Sequence, residues 1–189
     1  PAGKLANYSI TYNTGVFTIQ KATPVINWSN PADITYGTLL SGTQLNASVV
    51  GGLAGSFVYN PVAGTRLDAG TQTLSVTFNP TDSTNYNSAT KTVSINVLKA
   101  TPVINWSNPA DITYGTLLSG TQLNASVVDD IPGNLAYTPV TGTLLNAGNG
   151  QVLSVTFTPT DTLNYESVTK TVSINVLKAT PVINWSNPA

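Results

Sequence analysis

The sequence predicts an all-β chain built as two small β-sandwich domains in tandem, and three observations predict it. First, the string Lys-Ala-Thr-Pro-Val-Ile-Asn-Trp-Ser-Asn-Pro-Ala stands unchanged at 21–32, 99–110 and 178–189. Second, the spacings between copies, 78 and 79 residues, exceed the roughly 20–50 residues of solenoid and propeller repeats. Each period is therefore long enough to hold a core of its own. Third, apolar residues alternate with period two between the copies, and no window carries the 3.6-residue stripe of an amphipathic helix. The β-branched and aromatic content of the alternating runs suits strands.

Residues 1–20 do not match the repeat. Ala6, Tyr8, Ile10 and Tyr12 alternate on one face, Asn13-Thr14-Gly15 supplies a turn, and a second alternating run follows over 16–20. This reads as a hairpin that closes a different, upstream β domain.

The first repeat, 21–98, opens with a short strand after Pro24, since a residue before proline is biased to extended conformations and proline is tolerated at a strand start. Asn30-Pro31 breaks it, and a second short run over 33–36 stops at Gly37. Over 44–50, Leu45, Ala47 and Val49 point inward while Asn46 and Ser48 point outward. Gly51-Gly52 marks a turn, Phe57 and Tyr59 share one face, and Pro61 ends that strand. An extended piece over 65–68 leads to Ala69-Gly70. Leu74, Val76 and Phe78 then alternate with Thr73, Ser75 and Thr77, and Val93, Ile95 and Val97 with Thr92, Ser94 and Asn96. About seven short strands with turn signals at this spacing describe a sandwich.

The second repeat, 99–177, reuses this pattern. Leu123, Ala125 and Val127, then Leu153, Val155 and Phe157, then Val172, Ile174 and Val176 occupy the inward positions. Gly51-Gly52 becomes Asp129-Asp130, Ala54 becomes Pro132, and Phe57 becomes Leu135. Residues 178–189 open a third repeat with its first strand. Val97-Leu98 runs straight into Lys99-Ala100-Thr101-Pro102 with no Gly/Ser linker. A short proline-containing connection is stiff, and a ten-residue strand spans about 33 Å. The junctions at Lys21 and Pro24, Lys99 and Pro102, and Lys178 and Pro181 are thus expected to join domains end to end into an elongated array.

Composition removes several function classes. Charged residues make up 8% of the chain and the net charge is −1, against about 25% charged residues in ordinary domains. Seven Lys and Arg scattered along the sequence form no basic patch for nucleic acid. No apolar run approaches the roughly 20 residues of a membrane span, so this segment is not expected to insert in a membrane. With no His and no Cys, neither a Ser–His nor a Cys–His nucleophile can be built. Asp33 and Asp111, and likewise Asp82 and Asp161, are copies of one loop position each, as turn-forming Asp residues would be. No catalytic residue, cofactor or metal is implied. Asp129-Asp130 could offer carboxylates to calcium, but no Asp-x-Asp-x-Asp spacing accompanies it, and a solvated turn is the simpler reading. Trp28, Trp106 and Trp185 recur in the first strand, where period-two spacing puts them in the core beside Ile26 and its copies.

Several motifs resemble the tandem Ig-like repeats of large bacterial and archaeal cell-surface proteins. They are Lys-Ala-Thr-Pro-Val-Ile-Asn-Trp, Ile34-Thr35-Tyr36-Gly37-Thr38, Leu45-Asn46-Ala47-Ser48-Val49, Leu67-Asp68-Ala69-Gly70-Thr71 and Leu74-Ser75-Val76-Thr77-Phe78-Asn79-Pro80-Thr81-Asp82. Residues 1–20 resemble the end of the MBG-type domains found beside such repeats. The resemblance implies an extracellular, cell-surface stalk, filament or adhesin, and transfers no catalytic residue. Many Ig-like folds carry a tyrosine corner; here Gln72 sits near the place of that tyrosine.

Sequons Asn-x-Ser/Thr at Asn7, Asn27, Asn46, Asn105, Asn124 and Asn184 point outward in the strand reading, as N-glycosylation requires. A surface so poor in charge needs either glycans or intended lateral contact to manage association. The expected function is architectural: a structural segment of a long stalk or filament whose partners are neighbouring repeats or further copies. The alternative is an adhesin that binds a surface protein or glycan through the loops at 51–55 and 129–133, which differ most between the repeats.

Overall fold

The computed structural model describes Tyr8, Ser9, Thr11 and residues 13–185. In repeat 1 the strands are β1 (Ile26–Asn27), β2 (Ile34–Thr35), β3 (Ser48–Val49), β4 (Gly55–Asn60), β5 (Gly70–Pro80) and β6 (Ala89–Leu98). Repeat 2 repeats the order with β7 (Ile104–Asn105), β8 (Ile112–Thr113), β9 (Ser126–Val127), β10 (Gly133–Thr138), β11 (Gly148–Pro159) and β12 (Val168–Leu177). Each repeat is a β-sandwich with a four-stranded sheet in the order β2-β6-β5-β4 or β8-β12-β11-β10. A two-stranded sheet, β1-β3 or β7-β9, faces it.

Alternation along the long strands places the core. Leu74, Val76 and Phe78 of β5 and Val93, Ile95 and Val97 of β6 are buried on one face, in one core cluster with Ile26 of β1 and with Trp28, Leu40 and Leu45 of the neighbouring loops. Repeat 2 buries the corresponding set from Ile104 and Trp106 to Val176. Each such side chain contributes about 1.5–3 kcal/mol by leaving water. Trp28 packs edge-on against Tyr59, with ring centroids 5.5 Å apart. Its indole N–H donates to the Gln44 carbonyl at 3.0 Å. Gln44 is itself buried, and its side-chain oxygen accepts from both the amide and the hydroxyl of Ser41, each at 3.1 Å. The sequence reading missed this buried glutamine, whose role is to hold the loop that closes over the tryptophan.

The two-residue strands are too short to hold by ladder bonds alone, and further hydrogen bonds from the four-stranded sheet tie them and the adjoining loops down. Lys91 Nζ donates to the Ile26 carbonyl at 3.1 Å, and Lys170 Nζ to that of Ile104 at 2.8 Å. The Ser94 amide donates to Asn30 Oδ1 at 3.1 Å, a bond repeated between Ser173 and Asn108. The Tyr59 hydroxyl accepts the Ala47 amide at 2.9 Å, as that of Tyr137 does for Ala125. The place of a tyrosine corner is taken by Gln72, whose side-chain amide donates to the Asp68 carbonyl at 3.0 Å.

Four expectations change, the first being the opening strand of a third repeat: residues 178–185 lie in no strand and are exposed, Trp185 at 84%. Each repeat has six strands rather than about seven, because the piece over 65–68 contributes only a Leu39–Arg66 bridge. The run over 44–50 faces as expected but is strand only at Ser48–Val49, its earlier part being folded into the turn that places Gln44. The run over 16–20 lies in no strand and is exposed, Val16 at 97%. A two-stranded hairpin with nothing packed on it is marginal in water. Of its first strand, Ala6, Asn7, Ile10 and Tyr12 fall outside the described residues.

Candidate functional site

The junction between the repeats is the most elaborated surface of the chain, and it begins with the connection itself. The Leu98 carbonyl accepts the Tyr36 amide at 2.8 Å, so the last residue of β6 belongs to repeat 1. The next residue already belongs to repeat 2: Lys99 Nζ donates to the Thr162 carbonyl at 2.8 Å. Ala100 then pairs with the loop before β12, its amide donating to the Asn164 carbonyl and its carbonyl accepting the Glu166 amide, both at 2.9 Å. The connection has no free residue. Lys21 makes the matching bond to the Ser83 carbonyl at 2.7 Å, and Ala22 pairs with Asn85 and Asn87. Pro102 is buried and Pro24 half-buried, whereas Lys178 and Pro181 are exposed.

Side chains then reach across. The Ala69 amide of repeat 1 donates to Asn164 Oδ1 of repeat 2 at 2.8 Å. Asn164 Nδ2 donates to Asp68 Oδ1 at 3.2 Å. Asp161 aims this side chain, accepting from Asn164 Nδ2 at 2.9 Å and from the Asn164 amide at 3.1 Å. The Asn164 side-chain amide, donating to this carboxylate, holds the Asp161 carboxyl below its ordinary value of 3.8. Beside these bonds Tyr36 meets Tyr165 edge to face, centroids 5.3 Å apart, while the Arg66 guanidinium lies 5.3 Å from the Tyr36 ring centre. Such aromatic and cation–π contacts contribute about 0.5–1.5 kcal/mol each.

The repeat supplies its own control. Asn85 is the copy of Asn164 and makes the same local bonds to Asp82, with Nδ2 at 2.8 Å and N at 3.1 Å. Yet Asn85 is exposed, whereas Asn164 is only 5% exposed. The local loop is the same, so the burial comes from the neighbouring repeat.

The other candidate positions separate from this site. Asn27, Asn46, Asn105 and Asn124 are exposed, and Asn27 and Asn46 line one shallow groove of mixed character with Trp28, Asn30, Pro31 and Thr43. Asn184 is exposed as well; Asn7 lies outside the described residues. Asp33 and Asp111 accept from Asn96 and Asn175 at 3.0 Å, tying the start of β2 and β8 to the adjacent strand. Asp129 and Asp130 have φ of 61° and 48°. They sit in the left-handed region that Gly51 and Gly52 occupy in repeat 1, so turn geometry accounts for both pairs. Among the described residues no group of three or more acidic side chains converges on one point. No helix among the described residues is long and apolar enough to cross a membrane.

Sequence reading located the junction but not the residues that make it. Tyr36, Arg66, Asp68, Ala69, Asn164 and Tyr165 are brought together from points up to 129 residues apart, the separation of Tyr36 and Tyr165. The available signal was the recurrence of Asp-x-x-Asn-Tyr at 82–86 and 161–165.

No protein-family model and no curated protein matches the chain. Among solved structures it is similar to an endo-fucoidan hydrolase of glycoside hydrolase family 107, with 18% identity and a TM-score of 0.34, covering 90% of this chain and 31% of that one. It is also similar to immunoglobulin domains 1–5 of Sidekick-1, with 9% identity and a TM-score of 0.31, covering 83% of this chain and 40% of that one. A third likeness is to the fibronectin(III)-like modules of Clostridium thermocellum CbhA, with 13% identity and a TM-score of 0.29, covering 87% of this chain and all 100% of that one. The chain thus spans about a third of the hydrolase that it matches.

Proposed function

We propose that this chain is a structural segment of a long extracellular stalk or filament, in which Ig-like repeats are joined stiffly end to end. The burial of Asn164 by the preceding repeat carries this reading. A junction with no slack residue and with side-chain bonds across it transmits orientation from one domain to the next, so repetition adds length without adding freedom. The chemistry of the chain agrees with a non-catalytic role. It has no His and no Cys, and Asp33, Asp68, Asp82, Asp111 and Asp161 are each engaged in a bond that fixes a loop, strand or junction. The exposed sequons at Asn27, Asn46, Asn105 and Asn124 would carry glycans on a surface that has little charge to keep neighbours apart.

The test is residual dipolar couplings measured on both repeats in one weakly aligned sample. A single alignment tensor for the two domains is the expected result. Two tensors of different magnitude would mean that the repeats tumble independently, and the stiff-array reading would fall. Peptide mass spectrometry of native material decides the glycans separately, unmodified Asn27 and Asn46 peptides being the negative result.

A further inference from the structure

We propose that the far end of repeat 2, made by Tyr114, Asn146 and Ala147, is a docking face for the Asp-x-x-Asn-Tyr loop of a further Ig-like repeat joined through Lys178-Ala179. The proposal builds on the array reading and names the partner that each repeat end selects. Tyr114, Asn146 and Ala147 are the copies of Tyr36, Asp68 and Ala69, the residues that receive Asn164 and Tyr165 at the first junction. They line one shallow depression with Lys178 and Ala179. Tyr114 is 45% exposed and Ala147 is exposed, whereas Tyr36 and Ala69 are half-buried under their neighbour. The Ala147 amide has no hydrogen-bond partner among the described residues, while the Ala69 amide has Asn164.

The chemistry of the face fits the same occupant. Asparagine replaces aspartate at 146, and its side-chain oxygen still accepts from the incoming asparagine as Asp68 does. Leu144 replaces Arg66, so the tyrosine pair would meet without a cation behind it. The small size of the contact decides between a tethered and a free occupant. Two hydrogen bonds and one tyrosine pair fall well short of the roughly 1,000 Å² that a specific interface between separate molecules needs. A partner held by two linker residues gains an effective concentration on the order of millimolar, and the same bonds then suffice. The occupant is therefore the repeat that follows in the chain, rather than a second molecule.

Because 178–189 is identical to 21–32, appending residues 33–98 after Ala189 gives a complete third repeat on the full chain. Burial of Trp185, read as a blue shift of its fluorescence, reports that this repeat has folded. Should it not fold, appending 111–177 instead builds it from repeat 2. Hydrogen exchange at the Ala147 amide is then compared with the 189-residue chain. The expected result is exchange slowed roughly fivefold to tenfold, as one added hydrogen bond would give, and reversed by Asn85→Ala in the appended copy, or by Asn164→Ala where 111–177 was appended. Unchanged exchange at Ala147, with Trp185 buried and Ala69 still protected, overturns the docking face but leaves the stiff first junction standing. Fast exchange at both Ala69 and Ala147 overturns the array reading as well. Protection of Ala147 already in the 189-residue chain, rising with protein concentration, overturns the tethered occupant in favour of a second copy.

Discussion

Asn164 of repeat 2 accepts the backbone amide of Ala69 of repeat 1 at 2.8 Å, across 95 residues of sequence. Its copy Asn85 makes the same bonds to its own loop but is exposed. One side chain therefore does two jobs in the second repeat and one in the first, and this difference can be measured.

Asn164→Ala is expected to destabilise by about 1–3 kcal/mol, because it removes a buried side chain and leaves the half-buried Ala69 amide without its partner. Asn85→Ala removes only an exposed loop bond and is expected to cost roughly 0.5–1 kcal/mol. Urea denaturation of the two variants side by side checks this, and equal costs would mean that Asn164 contributes nothing across the junction.

Tyr36 and Tyr165 meet edge to face at 5.3 Å. A double-mutant cycle with alanine at both positions is expected to return a coupling of about 0.5–1.5 kcal/mol. The matched cycle on Tyr114 and Tyr86, which do not face each other within this chain, is expected to return a coupling of about zero.

Gly55 and Gly133 lie directly against the core phenylalanines. A Cβ at Gly55 would sit 2.5 Å from the Phe78 ring, and one at Gly133 would sit 2.4 Å from that of Phe157. Both rings are fully buried and cannot yield without repacking, so Gly→Ala at either position is expected to cost about 1–3 kcal/mol. The melting temperature of each variant reports the loss.

The turn after β3 gives the opposite sign. Asp129 and Asp130 hold the left-handed backbone that glycines hold in repeat 1, and an L-residue there costs roughly 1–2 kcal/mol relative to glycine. Asp129→Gly is expected to raise the stability of repeat 2, and Gly51→Ala to lower that of repeat 1. Open space surrounds Gly51, so its backbone angle is the whole cause. Thermal melts of the two variants should move in opposite directions.

The pH dependence follows from the two loop carboxylates. The side-chain amide of Asn164 holds Asp161, and that of Asn85 holds Asp82, below the ordinary value of 3.8. A carboxyl whose folded value lies below its unfolded value stabilises the fold above the unfolded value and loses that contribution as pH falls through the folded one. Melting temperature is expected to be flat near neutrality and to fall once pH drops below about 4. Asp82→Asn with Asp161→Asn is expected to flatten that acid limb.

The legible parts of the fold were those in which local pattern and burial coincide. Along β5 and β6 the period-two alternation marks the buried face residue by residue, and Leu74, Val76 and Phe78 lie where it puts them. The short strands were legible as strands but not in their lengths, which are set by partners: the run over 44–50 is strand only at Ser48–Val49. The tryptophan string shows why. Trp28 and Trp106 are 5% and 6% exposed, while Trp185, in the same twelve residues, is 84% exposed. Sequence identity gives no strand where the facing sheet is absent, since strand preference is largely a preference for packing on a pleated surface. The candidate site was least legible. The Asn164–Asp68 and Tyr36–Tyr165 contacts join positions that share no local pattern, and only the recurrence of the loop pointed to them.

The parallel pairing of β2 with β6, Ile34 beside Val97 and Thr35 beside Leu98, has a consequence for a chain pulled from its two ends. Force enters each repeat near its first strand and leaves through Leu98 or Leu177. Because the paired segments run in the same direction, the pull slides them past one another and strains their bonds together, instead of opening them one at a time as at the end of a hairpin. The Ala22–Tyr86 and Ala100–Tyr165 bridges are parallel too. The strands that close each sandwich are also those arranged to resist tension by shear.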